Sequence, residues 1–522
     1  MRTSHRTICK GIKDCIMFDR LHLIAPFAAF LVGVCAFWTV RRIALAVGFV
    51  DNPDRWRKLQ EAPIPLGGGL AVWLATWSGW GISRLVGAWD TGADGDAGWF
   101  AIALAIASFV ILGLGVIDDR YGLHARRKLA GQVVAAMILL GLGLRIDAFS
   151  AFGVEVKLGI FAYPVVVCWV VLVVNAFNLV DGMDGFCGSL GLVAALGIAF
   201  LAYRSGRVGD AILGLALAGA LAAFLRDNLP PARVYLGDAG SMMIGLMISA
   251  LSVRTCSAGP NNAVSFPPLV ALLTLPLLDV VTAIVRRSIT GRSVFRPDRG
   301  HIHHCLRSRL GSTVAALGAA VGLATLGACG AALVKVDGRG NLAACLAIVI
   351  SIGLLVGTNT FGRSESRLLW FRIRAALEPL LTGGAVRRGG IQRGCHLHGI
   401  RDWAGVWDAL IREVEDGGVW RIELAIDMAA AGEVYHGLWS SPTASGDDQS
   451  WSVVHNLYAG GVPAGVLHVA GSSDASQSHH LSKVEELVRM LEDQLGSDVP
   501  APPPSMVPSP SHGRMSAPAP VT

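Results

Sequence analysis

The sequence contains a long series of apolar runs, each close to the length needed to cross a lipid bilayer. The hydrocarbon core of a membrane is spanned by roughly 20 apolar residues in a helix. Such runs follow one another as far as residue 362, and the run at 238–253 is the shortest and begins with a charged residue. We therefore expect an all-α polytopic membrane protein with about eleven transmembrane helices. The predicted helices lie at 22–47, 66–88, 98–117, 129–145, 159–177, 186–203, 208–226, 238–253, 265–285, 313–334 and 341–360.

Composition supports this class and excludes others. The chain is 53% hydrophobic and 16% charged, whereas soluble domains are about 25% charged. An ordinary soluble enzyme, a disordered chain and a disulfide scaffold are therefore excluded. The ten cysteines include no CxxC pair and are interpreted as small hydrophobic residues. The net charge of +6 is typical of Lys and Arg in membrane-protein loops, so nucleic acid is not an expected partner.

Lys and Arg in the loops predict the orientation. The loops that follow odd-numbered runs, here named face A, hold fifteen of these residues, and the other loops hold six. Face A is therefore predicted to be cytosolic, with the N-terminus outside and the C-terminal segment inside. Residues 1–20 form an N-terminal extension with five positive charges, which disagrees with that orientation. Either translation starts at Met17 or the helix count is wrong by one.

Four polar clusters fall on face A. Polar groups at the ends of membrane helices are costly, so each cluster is a candidate functional site. Ordinary solvated residues at the ends of the helices would account for one such cluster, but they account poorly for four clusters on the same face. The clusters are Asp118 with Asp119 after the third run, Asn175, Asn178, Asp181 and Asp184 after the fifth, Asp238 at the eighth, and His301, His303 and His304 after the ninth. Lys128, just before the fourth run, joins them.

These residue types indicate phosphoryl transfer. Carboxylates and amides are hard oxygen ligands suited to Mg²⁺, with Mn²⁺ as the alternative. Mg²⁺ usually binds one or two protein oxygens together with substrate phosphates. Cationic side chains beside such a cluster would neutralise and position the phosphates. The glycines in DGMDG and GDAGS permit the close backbone approach that a phosphate or nucleotide needs.

The order of the four motifs resembles that of a known protein family. DDRYGL (118–123), NAFNLVDGMDG (175–185), GDAGS (237–241) and HIHH (301–304) resemble the motifs of the polyprenyl-phosphate N-acetylhexosamine-1-phosphate transferases, glycosyltransferase family 4. The resemblance covers residues 45–312 by motif and 20–360 by topology. HIHH resembles the branch that uses UDP-GlcNAc, since the peptidoglycan branch has a proline before its histidines. Gln60 stands where the GlcNAc branch usually has a histidine.

The resemblance implies transfer of GlcNAc-1-phosphate from UDP-GlcNAc to undecaprenyl phosphate in the bacterial inner (plasma) membrane, with release of UMP. This is the first membrane step of a cell-envelope polysaccharide. The resemblance further implies that Asn178 and Asp238 bind Mg²⁺ and that Asp118 and Asp119 lie near the attacking lipid phosphate. The other implied site residues are Lys128 and Arg299 at the diphosphate, Asn175, Asp181 and Asp184 at the nucleotide, and His301 (catalytic), His303 and His304 at the diphosphate or sugar.

Alternatives remain open at this point. The three histidines beside Asp298 could form a zinc site. Asp279, inside the ninth run, is either a supporting partner of the site or a paired helix-end charge. A phospho-MurNAc-pentapeptide transferase is the alternative within the family. A secondary transporter is the alternative in a different class, although transporters bind substrates near the membrane midplane.

The remaining sequence divides into three parts. Residues 363–400 are basic and predict either a helix on the anionic inner leaflet or a plain linker. Residues 401–496 predict a small cytosolic α+β domain of the GAF or PAS kind, with helices at 402–415 and 480–495 and strands at 419–427, 451–459 and 465–471. Residues 497–522 are proline-rich and predict disorder. A homodimer and an unknown ligand or partner of this domain complete the expected partners.

Overall fold

The chain divides into two compact units, Met1–Glu365 and Ser366–Thr522. The computed structural model describes residues 20–51, 63–87, 97–146, 148–152, 154–257, 265–289, 300–333, 341–358, 360–361, 391–398, 403–414, 419–428, 433–440, 450–459, 462–472 and 485–492. Several predictions concern residues outside these ranges and stay untested: the N-terminal extension, Gln60, Arg299, the basic segment up to residue 390 and the proline-rich tail.

The first unit is helical, with two short two-stranded sheets. Its helices are α1 (Ile24–Ala46), α2 (Gly68–Leu85), α3 (Ala97–Tyr121), α4 (Ala125–Gly141), α5 (Ala162–Val180), α6 (Phe186–Arg204), α7 (Val208–Asn228), α8 (Gly237–Cys256), α9 (Phe266–Leu272), α10 (Thr274–Ile289), α11 (Ile302–Leu310), α12 (Thr313–Ala332) and α13 (Asn341–Gly357). The sheets pair β1 (Val50–Asp51) with β2 (Ile64–Pro65) and β3 (Ala148–Ala151) with β4 (Val154–Lys157), both antiparallel.

The helices agree with a polytopic membrane protein. Within the described residues, seven helices are long and apolar enough to cross a membrane, or eight if α9 and α10 form one span. Each of the eleven predicted runs contains helix, but the number of eleven spans stays a prediction. The expectation of one continuous helix over 265–285 was wrong, because α9 and α10 meet at a bend of 84°.

Helix α8 lies at the centre of the first unit, and its apolar stretch is wholly buried. Its neighbours approach so closely that only glycine fits at several contacts. A Cβ at Gly115 of α3 would lie 2.1 Å from the Cα of Ala239, and a Cβ at Gly69 of α2 would lie 2.4 Å from the Cα of Gly240. Because these contacts involve the first turn of α8, they bring the start of α8 to the end of α3.

The second unit contains a five-stranded antiparallel sheet in the order β5-β7-β6-β9-β8. Its described elements are β5 (Ile391–His398), α14 (Trp403–Val414), β6 (Val419–Met428), β7 (Glu433–Ser440), β8 (Ser450–Ala459), β9 (Val462–Ser472) and a helix over 485–492. Side chains of α14 and of the last helix bury one face of the sheet, including Trp407, Leu410 and Leu491. β5 and β7 were not predicted, and the likeness to GAF or PAS domains stays a prediction.

Candidate functional site

Three helix ends in the first unit place a lysine between two carboxylates. The ammonium of Lys128, in the first turn of α4, contacts carboxylate oxygens of both Asp118 and Asp238. Asp118 lies near the end of α3 and is 8% exposed, and its Oδ1 accepts a hydrogen bond of 2.6 Å from the Leu123 amide. Lys128 therefore joins the DDRYGL and GDAGS motifs, which are more than a hundred residues apart in sequence.

Asp119 caps the start of α8 from the neighbouring helix. Its carboxylate accepts hydrogen bonds from the Asp238 amide at 2.8 Å and from the Ala239 amide at 3.3 Å. The first amides of a helix have no partner within it and carry partial positive charge, so an anion stabilises this end. Gly237 has φ +72°, and a Cβ there would lie 2.5 Å from the Asp119 Oδ2. The first glycine of GDAGS therefore leaves room for this cap.

Asn178, at the end of α5, holds the other side of the Asp238 carboxylate. Its amide nitrogen donates to the Asp238 Oδ1 at 2.8 Å and to the Ser241 Oγ at 3.1 Å. The two predicted magnesium ligands are therefore in contact, and Asp238 is the centre of a network of residues from α3, α4, α5 and α8. The network contains three carboxyl groups and a single ammonium, so acidic groups are in excess.

Asn175 lies one turn before Asn178 and has different partners. Its amide nitrogen donates to the Gln132 Oε1 at 2.6 Å and to the Val171 carbonyl at 2.7 Å. Gln132, 1% exposed, also lies 3.6 Å from the sulfur of Met242. These contacts join α4, α5 and α8, and the proposed contact of Asn175 with substrate stays a prediction. Sequence reasoning missed Gln132, although it follows Lys128 by four residues on the same helix face.

Asp184, in the loop that starts α6, binds backbone rather than a second charge. Its Oδ2 accepts from the Ala232 amide at 2.9 Å. Nearby, the buried Asn228 accepts from the Gly185 amide and donates to the Val234 carbonyl, each at 2.9 Å. The DGMDG loop is therefore fixed to the segment that leads into α8.

Two ionisable groups in and beside this loop, Asp181 and Tyr235, have raised pKa values. Burial, with the nearby charges of Asp238 and Asp119, raises the pKa of Asp181 well above its usual range. Burial, with the charges of Asp184, Asp51 and Asp181, raises the pKa of Tyr235 to about 12. Tyr235 is a residue that sequence reasoning missed, and its position three residues before Asp238 was the only signal.

The histidines of HIHH occupy three different environments. His301 is 7% exposed and faces Asp279 of α10, with 3.3 Å between its Nδ1 and the carboxylate. His303 is 4% exposed and packs on the DGMDG loop, where a Cβ at Gly182 would lie 2.4 Å from its Nε2. His304 is exposed. Burial, with the neighbouring His304 and His301, lowers the pKa of His303 to about 2, so His303 packs here as a neutral ring.

The structure therefore brings most predicted site residues into two adjoining groups. Asp118, Asp119, Lys128, Asn178 and Asp238 form one hydrogen-bonded network. His303 joins the HIHH segment to the DGMDG loop, and its ring stacks on that of His301 with centroids 5.9 Å apart. In the part of the chain that the structure describes, no group of three or more His, Cys, Asp or Glu residues could hold a metal ion. This geometry does not support the zinc alternative for the described histidines.

Comparison with known proteins assigns the family. Residues 101–256 match glycosyl transferase family 4. The chain is 34% identical over 269 residues, 51% of its own length and 72% of the relative, to a protein of Bacillus subtilis (strain 168) named as a probable undecaprenyl-phosphate N-acetylglucosaminyl 1-phosphate transferase. It is 36% identical over 307 residues to the decaprenyl-phosphate N-acetylglucosaminephosphotransferase of Mycobacterium tuberculosis (strain ATCC 25618 / H37Rv), covering 54% of this chain and 75% of the relative.

A third relative gives the same result. The undecaprenyl-phosphate alpha-N-acetylglucosaminyl 1-phosphate transferase of Escherichia coli (strain K12) is 30% identical over 284 residues, 53% of this chain and 74% of the relative. The family match covers α8 and the whole carboxylate network described above. The chain therefore belongs to glycosyl transferase family 4, as a membrane-embedded polyprenyl-phosphate N-acetylhexosamine-1-phosphate transferase.

Proposed function

We propose that this chain transfers GlcNAc-1-phosphate from UDP-GlcNAc to undecaprenyl phosphate, forming undecaprenyl-diphosphate-GlcNAc and UMP in a Mg²⁺-dependent reaction. The observation that carries the proposal is the acid-rich network around Asp238, where Lys128 and Asn178 contact a carboxylate at the start of a buried helix. The relatives with GlcNAc and polyprenyl phosphate in their names support the substrates.

The residues present fit a magnesium ion bound largely by substrate. Mg²⁺ in phosphoryl-transfer sites takes one or two protein oxygens and fills its remaining positions with phosphate oxygens and water. The Asp238 carboxylate and the Asn178 side-chain oxygen would supply the protein ligands, and the excess of acidic groups favours a divalent cation. When bound, the ion neutralises charge on the diphosphate and orients it.

The protein would then contribute position and charge. An oxygen of the lipid phosphate attacks the β-phosphorus of UDP-GlcNAc, its P–O bond forms, and the bond to the UMP oxygen breaks. The attacking phosphate needs no deprotonation near neutral pH, because its second pKa is about 6. Lys128, held by Asp118, places one positive charge beside the reacting phosphates, and Asp119 fixes the backbone that carries Asp238.

The orientation and the cellular role belong to the same proposal. The fifteen Lys and Arg residues of face A against six on the other side favour a cytosolic site in the bacterial plasma membrane. UDP-sugars would then reach the site from the cytosol, and the product would be the first lipid-linked sugar of a cell-envelope polysaccharide. The segment before HIHH favours the GlcNAc branch, since Gly300 rather than proline precedes His301.

The test is UMP release by the full chain, purified in detergent. The assay contains undecaprenyl phosphate, Mg²⁺ and one sugar nucleotide: UDP-GlcNAc, UDP-GalNAc or UDP-MurNAc-pentapeptide. We expect UMP only from UDP-GlcNAc, only with the lipid, and not after EDTA treatment until Mg²⁺ or Mn²⁺ is restored. UMP from the pentapeptide substrate alone would keep the chemistry and reject the substrate. Uptake of a substrate into sealed vesicles without UMP release would instead favour the transporter.

A further inference from the structure

The side chain of Asp279 is the most deeply buried acid next to the HIHH segment. It lies in the second turn of α10 and is 0% exposed. Its Oδ1 lies 3.3 Å from the His301 Nδ1 and accepts a hydrogen bond of 3.0 Å from the Ile302 amide. Its Oδ2 has no hydrogen-bond partner among the described residues. A buried carboxylate oxygen left without a partner costs free energy, so apolar packing alone does not explain an acid here.

Helix α10 holds the HIHH segment at a second point, two turns further on. A Cβ at Gly300 would lie 2.4 Å from the guanidinium carbon of Arg286, so Gly300 rests directly against this buried arginine. Asp279 and Arg286 are seven residues apart, which places them on the same helix face about 10.5 Å apart along the axis. The backbone on both sides of His301 is therefore fixed, at Gly300 by Arg286 and at Ile302 by Asp279.

The hydrogen bond to Asp279 decides which nitrogen of His301 carries the proton. A carboxylate oxygen accepts hydrogen bonds, so the His301 Nδ1 must be the donor, and the Nε2 is left for other partners. The ring is also held in orientation, because it stacks on His303 with an interplanar angle of 8°. Among the described residues, Asp279 of α10 and His303 of α11 face the ring, Arg286 lies against the neighbouring Gly300, and His304 packs on His303.

We propose that Asp279 is a positioning residue of the transfer reaction, which fixes the Nδ1-protonated form and the orientation of His301 so that its Nε2 serves the substrate. The role of His301 in the reaction rests on the proposed function, whereas the contact that Asp279 makes with His301 does not. In this proposal Asp279 acts on the reaction through His301 and makes no contact of its own with substrate or metal.

A double-mutant cycle tests this dependence. Asp279→Asn keeps the size of the side chain and an oxygen that can accept from the Ile302 amide, but it removes the negative charge. In the wild-type background we expect kcat/KM to fall by about 10- to 100-fold, the usual cost of losing such a supporting contact. In a His301→Gln background the same substitution should change kcat/KM by less than about twofold, because its effect is already lost.

The cycle has a matched control and a clear contrary result. Thr282→Val alters the same helix three residues away, where the hydroxyl only bonds the Leu278 and Asp279 carbonyls, and should leave kcat/KM within about twofold in both backgrounds. An equal loss from Asp279→Asn in both backgrounds would show that Asp279 supports packing and not His301. No loss in either background would also overturn the proposal.

A second measurement needs no variant of Asp279 and no enzymatic activity. The ¹⁵N spectrum of the full chain, labelled at histidine, is compared with that of His301→Gln to assign His301. We expect a proton on Nδ1, whether or not Nε2 also carries one. A His301 ring with an unprotonated Nδ1 would overturn the proposal, even if Asp279→Asn failed to fold. Absence of UMP release with a protonated Nδ1 would reject the proposed function and keep the positioning geometry.

Discussion

Helix α8 has a charged cluster near each of its ends, and the two clusters differ in charge and in exposure. At its start, Asp118, Asp119 and Asp238 share the single ammonium of Lys128. Near its end, Arg254 binds the carboxylate of Asp210 through two nitrogens, at 2.9 and 3.2 Å. Asp238 and Arg254 are sixteen residues apart, or about 24 Å along the helix.

In the second cluster, two guanidinium groups contact one carboxylate. Arg207 adds a contact of 3.6 Å to Asp210, and the Arg254 guanidinium carbon lies 4.4 Å from the ring centroid of Phe100. Each partner is almost inaccessible to solvent, with 1% of Asp210 and 5% of Arg254 exposed. Buried charges paired in this way hold helices together. An excess of acids near a helix start, with the Asp238 side chain 35% exposed, instead favours an incoming cation. Acid excess and partial exposure together therefore separate the site from the scaffold.

The largest expected effect comes from removing Asp238, the central acid of the acid-rich cluster at the start of α8. Asp238→Asn keeps an oxygen that can accept from Asn178, but it removes the charge that faces Lys128 and the proposed Mg²⁺. We expect UMP release to fall by about three orders of magnitude, the scale typical for lost electrostatic stabilisation of a transition state. Thermal unfolding should barely change, and the exposed Glu155→Gln should leave both quantities as in the wild type. Retained activity would place the metal site elsewhere.

The next effect concerns the Arg254–Asp210 cluster and should appear in stability. Arg254→Met removes both hydrogen bonds from Arg254 to the buried Asp210 carboxylate, and breaking a buried pair in this way costs about 3 kcal/mol. We expect a lower unfolding temperature in detergent, but unchanged UMP release per folded molecule. The double variant Arg254→Met with Asp210→Asn should recover most of the loss, because the buried carboxylate charge is removed together with this arginine. A folded Arg254→Met protein without activity would contradict the separation of the two clusters.

A smaller effect is expected where backbone geometry supports the acid-rich cluster at the start of α8. Gly237→Ala places a Cβ against the Asp119 carboxylate in a left-handed backbone conformation. The cap on α8 should be displaced, and we expect kcat/KM to fall by about 10- to 100-fold, since small misplacements of reacting groups have effects of that size. Gly206→Ala is the matched control, with φ +75° but open space around it. It should cost about 1 kcal/mol of stability and no activity.

The smallest effect is expected for a contact between a carboxylate and a histidine that is less buried, in the second unit. The Glu423 Oε1 lies 3.2 Å from the His436 Nε2, and this hydrogen bond lowers the pKa of Glu423 despite partial burial. A lowered pKa stabilises the folded state above the unfolded pKa of about 4.3. The contribution disappears as the pH falls through the lower folded value. With 28% of the Glu423 side chain exposed, we expect less than about 1 kcal/mol.

Hydrogen exchange of the full chain measures this contribution. Peptides that cover β6 and β7 should exchange faster in Glu423→Gln than in the wild type at pH 7, after correction for intrinsic rates. The difference should shrink as the pH falls below about 4. A difference that grows on acidification would contradict the assigned sign. A loss of stability as large as that of Arg254→Met would show that burial does not determine the strength of these charged contacts.

Much of the fold was predictable because the length of each apolar run indicates a helix that can span a membrane. A bilayer requires long apolar helices, and each predicted run does contain helix. The break between α9 and α10 was missed although Pro276 signals it, since a proline ring clashes with the carbonyl four residues earlier, at Leu272. β7 was missed for a different reason. Gly437 interrupts its pattern, and only the tertiary fold shows that the side chain of Trp407 fills that space.

The sequence by itself determined the class of protein, the residue types of the site and the family resemblance, because these depend on local patterns and on motif order. The tertiary structure decided which of those residues meet. It joined Asp119 to the start of α8, Lys128 to Asp238 and His303 to the DGMDG loop, and it revealed Gln132, Tyr235 and the contact of Asp279 with His301. Such contacts join helices that are distant in sequence, and they depend on helix packing, which no local pattern encodes.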